Sequence, residues 1–423
     1  MKTGNLIIKD AAELVTCSGN QAKSGKDMSD LQLIQGGTLV IKEGIITHVG
    51  SADEVMCQVE EEEYEIINAA GKSVLPGFVD SHTHFVFGGY RAEEFSWRLQ
   101  GVDYMEIMNR GGGIISTVKA TRKASQGSLV QSGYDRLTSM MTYGVTTVEG
   151  KSGYGLDLET EIKQLEAMKL IQENHPMDVV TTYMGAHAVA PEYKGRPDEM
   201  IDDIIQQVLP IIKKRDLAEF CDVFTEENVF TVDQSRRLLN AAAEMGFKLK
   251  MHADEIVPLG GAELAAEVGA VSADHLLQAS DKGVKAMAEE GVVATLLPGT
   301  AFSLREKYAR ARHMIDAGCA VALASDFNPG SCHTESIPLI IALATLYMGM
   351  TPEETIMALT INGAAALDRT DTIGSLDVGK KGDVVILKEP SYHFLAYHIG
   401  VNTVERVIKN GKIVIDNRIQ LLG

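Results

Sequence analysis

The sequence predicts an α/β protein: a (β/α)8, TIM-like barrel with a small β-sandwich domain built from both termini. Three observations lead there. Short β-rich apolar runs alternate with helical patterns through the middle of the chain. Strand-rich segments flank that middle on both sides. Polar, chemistry-bearing residues recur just after the apolar runs, where the C-terminal strand ends of a parallel barrel carry function. A chain of 423 residues is long enough for such a barrel and a small companion.

Taken in order, residues 1–75 read as short strands over 5–9, 37–44, 45–50 and 65–71, separated by Gly and polar turns. The acidic cluster at 60–63 reads as a solvated face, and His48 as an ordinary strand residue. Strands return over 382–388 and 404–416, the latter turning at Asn410-Gly411, a hairpin dipeptide. The small domain is therefore assigned to 1–75 plus 379–423, with the barrel, 76–378, inserted between its halves.

In the barrel the first strand leads into His82. The others are read over 145–149, 179–184, 220–224, 249–251, 270–274, 292–297 and 320–324. Helical patterns fall between them over 160–171, 234–245, 261–267, 281–290 and 309–317. The link over 85–143 is long and glycine-punctuated, at Gly88-Gly89 and Gly111-Gly112-Gly113, and predicts a loop and helices over the barrel mouth.

Composition narrows the function. Hydrophobic content of 45% suits a globular protein with a sizeable core, and a formal net charge of -19 argues against nucleic acid or an anionic membrane as partner. Any anionic substrate must then meet locally placed cations. Five scattered cysteines without a Cys-x-x-Cys indicate a reducing compartment. With no long apolar segment and no signal peptide, the reading is a cytoplasmic protein.

The chemistry centres on the stretch from Leu75 to His84. It begins as an apolar run, turns at Pro76-Gly77, and ends in His82 and His84, two residues apart. Residues i and i+2 of an extended strand share a face, so both imidazoles can address one cation. Neutral imidazole suits zinc, iron, nickel or copper. Walking the remaining strand ends gives Glu149, Lys151 and Tyr154; His187; Asp222 and Glu226; His252 and Glu255; Asp274 and His275; and finally Ser325, Asp326 and Asn328. Five of the eleven histidines thus lie at strand ends. His175, His313, His333, His393 and His398 lie elsewhere and receive no role.

These motifs carry a resemblance. Val79-Asp-Ser-His-Thr-His84, a fifth-strand His, a sixth-strand His and an eighth-strand Asp resemble the amidohydrolase superfamily. Within it the chain is similar to the imidazolonepropionase family through His82-Thr-His-Phe-Val-Phe-Gly-Gly-Tyr-Arg91, the stretch 111–118, Lys151-Ser-Gly-Tyr-Gly-Leu156, Met184-Gly-Ala-His187, His252-Ala-Asp-Glu255 and Asp326-Phe-Asn-Pro-Gly-Ser331. Two positions depart from the family pattern: Gly150, where an apolar residue is expected, and Cys332-His333.

The resemblance implies hydrolysis of 4-imidazolone-5-propanoate to N-formimidoyl-L-glutamate, with one zinc or iron ion per chain held by His82, His84, His252 and Asp326. Dinuclear relatives carry a bridging lysine at the end of the fourth strand, and 220–227 contains none. Glu255 is expected to orient the ring or water and shuttle a proton, His275 to hydrogen-bond the tetrahedral centre, and Asp326 to bind metal and accept the water's proton. Which carboxylate is the principal base stays open. Arg91 is expected to grip the propanoate bidentately, folding back over the mouth through a mobile Gly88-Gly89. Tyr154 and His187 are placed to contact carboxylate or ring, and Asn328, Gly330 and Ser331 to supply amide contacts. Tyr104 is a weaker candidate. A homodimer is the implied assembly, with a small-molecule substrate as the only other partner.

Two other readings compete. One is a deaminase or other cyclic amidohydrolase acting on a heterocycle, which would not need Arg91. The other is a non-catalytic scaffold, which would have no physical need for the intact ligand set with Glu255 and His275.

Overall fold

The computed structural model describes residues 4–102, 106–107 and 110–418; Tyr104 lies outside the described residues. Five strands open the chain: β1 (Leu6–Val15), β2 (Leu33–Lys42), β3 (Ile45–Ser51), β4 (Glu65–Asn68) and β5 (Ser73–Pro76). Eight more follow: β6 (Phe78–Asp80), β7 (Val145–Lys151), β8 (Asp178–Ala186), β9 (Phe220–Thr225), β10 (Lys248–Ala253), β11 (Ser272–His275), β12 (Val293–Leu296) and β13 (Val321–Leu323). Strands β14 (Val384–Leu387), β15 (Val404–Lys409) and β16 (Lys412–Asp416) end it.

Strands β6 to β13 pair in sequence order, every ladder parallel. The seam between first and last closes just beyond the strands. Thr83 bridges Phe327, Asp326 N donates to His82 O at 3.0 Å, and His84 N donates to Phe327 O at 2.8 Å. Asp80 completes it from below, its carboxylate accepting Ser325 N at 2.9 Å and Ser325 Oγ at 2.6 Å. The seam therefore runs through the histidine pair and Asp326, and barrel closure itself brings the first and last strand ends together.

The terminal strands join in one mixed sheet, ordered β16-β15-β14-β5-β1-β2-β3 with β4 beside β1. Period-two alternation sorts its residues: Leu6, Ile8, Leu39 and Ile41 enter one cluster, Ile7 and Val40 another with Val55. The larger cluster takes its strand residues from both termini, and no helix contributes to it. The small domain read from both termini is therefore this mixed sheet with its own apolar cluster. The predicted hairpin turn at Asn410-Gly411 joins β15 to β16. The apolar run before His82 divides between the two parts: β5 pairs with β1 and β14, then Gly77 passes the chain to β6.

The long link holds the helices Ala92–Leu99, Ile114–Lys123 and Gln126–Thr142. Gly88-Gly89 differs from the reading of a mobile hinge. A Cβ on Gly88 would lie 2.7 Å from Ala120 O, and Gly88 N donates to Thr121 Oγ1 at 3.0 Å. The glycines are there for close backbone approach to the helix Ile114–Lys123, which seats Arg91 firmly. Gly150 has a similar reason: a Cβ there would meet Phe85 Cε1 at 2.6 Å. Cys332 is buried, and His333 packs its ring 4.8 Å from Phe327.

Candidate active site

The barrel mouth collects the imidazoles. His82, His84 and Asp326 each place one ligand atom within 4.8 Å of the others. His252 joins His82 and His275 in a second such group, and His84 and His187 in a third. The four residues read as metal ligands thus converge, and His275 and His187 flank them. His84 and His187 stack at 4.8 Å between ring centroids.

The ring nitrogens are sorted by what lies beneath. His82 Nδ1 meets Asp274 Oδ2 at 2.6 Å, and His252 Nδ1 meets Asp222 Oδ1 at 3.1 Å. An ionised carboxylate only accepts, so each Nδ1 carries the proton and Nε2 is bare. The Nε2 atoms of both rings are buried without a hydrogen-bond partner. Such an orphan costs about 1–3 kcal/mol. Burial first, then neighbouring positive charge and imidazoles, holds His82, His84 and His252 well below the ordinary histidine range. Neutral imidazoles with bare nitrogens beside a buried carboxylate fit a divalent cation.

Backbone geometry aims the groups. His275 and Asp326 take φ of 76° and 50°, a left-handed conformation costing of order 1–3 kcal/mol for such residues. Thr300 Oγ1 donates to Asp326 Oδ2. Asp254 accepts Leu259 N at 2.9 Å and Ala262 N at 2.8 Å, fixing the turn that carries Glu255. Glu255 Oε1 lies 3.5 Å from His275 Nδ1. Burial, then the charges of Asp326 and Glu226, pushes Glu255 up to about 8, while burial takes His275 and His187 down to about 4.

Above the histidines is a cavity of about 600 Å³. Its lining includes His84, His252, His275, Asp326 and Glu255 together with Arg91, Tyr154, His187, Asn328, Gly330 and Ser331. His82 sits beneath, fully buried. Every predicted site residue is therefore at this one place.

The family model of the amidohydrolase family matches residues 73–414. The imidazolonepropionase of Clostridium tetani is 60% identical over 414 residues, covering 98% of this chain and 99% of that protein. The imidazolonepropionase of Parabacteroides distasonis is 59% identical over 413 residues, covering 98% and 99%. The chain belongs to the imidazolonepropionases of the amidohydrolase family. Among solved structures, an adenosine deaminase from Xanthomonas campestris with bound zinc superposes with a TM-score of 0.69 at 17% identity, covering 99% of this chain and 94% of that one. At that identity the likeness speaks for the fold alone.

The amidohydrolase mouth also shows what sequence reasoning left without a role. Asp222, Asp274 and Lys151 stood at strand ends, but only the fold places them under His252 and His82. Glu94 was overlooked. Its carboxylate takes Arg91 Nε at 2.8 Å and also Arg91 Nη2, while accepting Gly113 N at 2.8 Å. The Gly111–Gly113 motif thus anchors the acid that holds Arg91. Gly330 crosses so close that a Cβ would lie 2.0 Å from Arg91 Nη1, which leaves no side chain possible there without displacing the guanidinium. Arg98, also overlooked, donates to Gly330 O at 3.1 Å and lines the same cavity. Asn328 spends its side chain within its own loop, donating to Asp326 O at 2.8 Å and accepting Gly330 N and Ser331 N at 2.8 Å each. It shapes the wall rather than offering a free amide.

Proposed function

We propose that this chain hydrolyses 4-imidazolone-5-propanoate to N-formimidoyl-L-glutamate in histidine degradation. The observation that carries the reading is near-full-length identity of 60% to an imidazolonepropionase. The cavity adds chemical support: imidazoles, the carboxylates of Glu255 and Asp326, and the Arg91 guanidinium all line it. Purified protein incubated with freshly made imidazolonepropanoate should abolish the imidazolone absorbance and yield N-formimidoyl-L-glutamate. Unchanged absorbance with metal-loaded protein would sink the assignment.

His82, His84, His252 and Asp326 would hold one zinc or iron ion. When bound, a divalent cation supplies a nucleophile at neutral pH by lowering a water's pKa from roughly 15.7 to about 7. The water oxygen adds to the ring carbonyl carbon, the carbonyl carbon–nitrogen bond breaks, and the leaving ring nitrogen takes a proton. Burial pushes the Glu255 carboxyl up, which suits it to hold and pass on a proton where it reaches the cavity. Neutral His275 donates a hydrogen bond to the oxygen that gains charge at the tetrahedral stage. Asp326 is the other carboxylate able to take the water's proton. Tyr154 and His187 pack against the ring, and Ser331 and Gly330 line the wall beside Arg91.

Arg91 receives the propanoate. Glu94 already engages two of its donor nitrogens, so the substrate carboxylate meets the remaining Nη1 edge next to Gly330, with Arg98 adjacent. Arg91→Ala is expected to raise KM at least about tenfold, since a charge-assisted hydrogen bond is worth about 1.5–3 kcal/mol. Arg91→Lys should recover only part, lacking the planar fork. Steady-state kinetics check both, and an unchanged KM in Arg91→Ala would place the propanoate elsewhere. A heterocycle without the propanoate should be indifferent, which separates this reading from the deaminase one.

The catalytic domain is assigned to 76–378 and the small β domain to 1–75 with 379–423. We read the protein as cytoplasmic and as a homodimer. All five cysteines are free, and among the described residues no helix is long and apolar enough to cross a membrane. Light scattering on a sizing column tests the dimer.

A further inference from the structure

Lys151 is fully buried at the end of β7 and takes no part in the chemistry described above. Its ammonium lies among three buried carboxylates: Asp222 Oδ2 at 2.7 Å, Glu149 Oε1 at 2.9 Å and Asp274 Oδ2 at 3.3 Å. Two of these are the partners of His252 and His82. Asp222 divides its oxygens, Oδ2 to Lys151 and Oδ1 to both His252 Nδ1 and His252 N. Asp274 Oδ2 faces Lys151 and His82 Nδ1 together, while its Oδ1 accepts Ser272 Oγ at 2.7 Å. The third carboxylate, Glu149, accepts Thr182 Oγ1 and, through Oε2, Lys250 Nζ at 2.7 Å. Three carboxylates against two ammonium groups leave one net negative charge directly beneath the imidazoles.

We infer that Lys151 is a positioning residue whose single ammonium locks both Asp222 and Asp274, and through them fixes the tautomer and aim of His252 and His82 toward a divalent cation. This inference rests on the metal-site reading above. A lysine suits the place because its three donors match three acceptors, and its compact charge needs no fork. Without it, Asp222 and Asp274 would repel each other across the space it fills. Each could relieve that repulsion by rotating away, which would release the imidazole it holds. Loss of such outer partners typically costs about 10–100-fold in metal affinity.

The test strips the full-length protein of metal with a chelator and titrates it with Co²⁺ alone, following d–d absorption. The parent should bind one Co²⁺ per chain. Lys151→Met should raise the Co²⁺ Kd about 10–100-fold and alter the d–d bands. Lys151→Met with Asp222→Asn should cost less than the two single changes summed, because they share the connection through Asp222, while the connection through Asp274 is lost only with Lys151. Thermal unfolding reports whether Lys151→Met folds. If it does not, Lys151→Met with Glu149→Gln, which keeps the net charge of the cluster, is measured for the same two readouts. A folded Lys151→Met, or the charge-balanced variant, with the parent's Kd and bands would overturn the inference while leaving the metal site standing. A parent that binds no Co²⁺ would remove the metal site itself.

Discussion

Glu255→Gln is expected to lower kcat by about 10²- to 10⁴-fold, the range for loss of a general acid–base group, while metal content stays near the parent's. The separation follows from geometry. Glu255 is three residues past His252 and reaches the cavity, where its Oε1 lies 3.5 Å from His275 Nδ1, a ring outside the four residues read as ligands. Gln keeps the shape and loses the exchangeable carboxyl proton. The pH profile gives an independent sign. Burial raises the carboxyl to about 8, so the protonated form predominates below that pH and is lost as pH rises through it. A cation beside Asp326 would draw the value down, so kcat/KM should fall on an alkaline limb at or below about pH 8. That limb should be missing from Glu255→Gln. Elemental analysis beside steady-state kinetics decides: a Gln variant as active as the parent removes Glu255 from the mechanism.

The fold was legible because periodicity and strand-end chemistry agree. The helices over Gly261–Glu267 and Asp281–Glu290 coincide with the patterns read from sequence. All eight barrel strands fall on the predicted apolar runs, differing at their ends by up to a few residues. Longer β7 and β8 are one such difference, since ladder partners extend strands past the apolar run into Lys151 and Ala186. The histidine set was legible because metal-binding residue types stand out at strand ends. Its support was not. Asp222 and Asp274 are ordinary carboxylates in sequence, 52 positions apart, and acquire meaning only when β9, β10 and β11 lie side by side. Glu94 is likewise one of many acids in an acidic chain until the helix Ala92–Leu99 turns it back on Arg91 and Gly113. Gly88-Gly89 misled for a related reason: the same residue type serves freedom and close approach, and only the packed partner distinguishes them.

Removal of the metal carries the largest expected loss. Chelation of the purified protein should abolish turnover, by at least about 10⁴-fold, because lowering a water's pKa from roughly 15.7 to about 7 is the only source of a strong nucleophile at neutral pH among the effects invoked. Zinc or iron(II), added back at one equivalent per chain, should restore it. The stoichiometry is argued from the residues beneath the site. A second cation would need its own carboxylates, and those nearest the histidines are already engaged, Asp222 and Glu149 with Lys151 and Asp274 with His82. His84→Ala should reproduce the loss and resist rescue, since His84 Nδ1 is held by Ser152 O at 3.3 Å and no spare histidine stands in its place except His187, stacked against it. Elemental analysis showing two tightly held ions would overturn the mononuclear reading. Full activity in protein shown to be free of metal would remove the metal from the reaction, and the orphaned nitrogens of His82 and His252 would then need another partner.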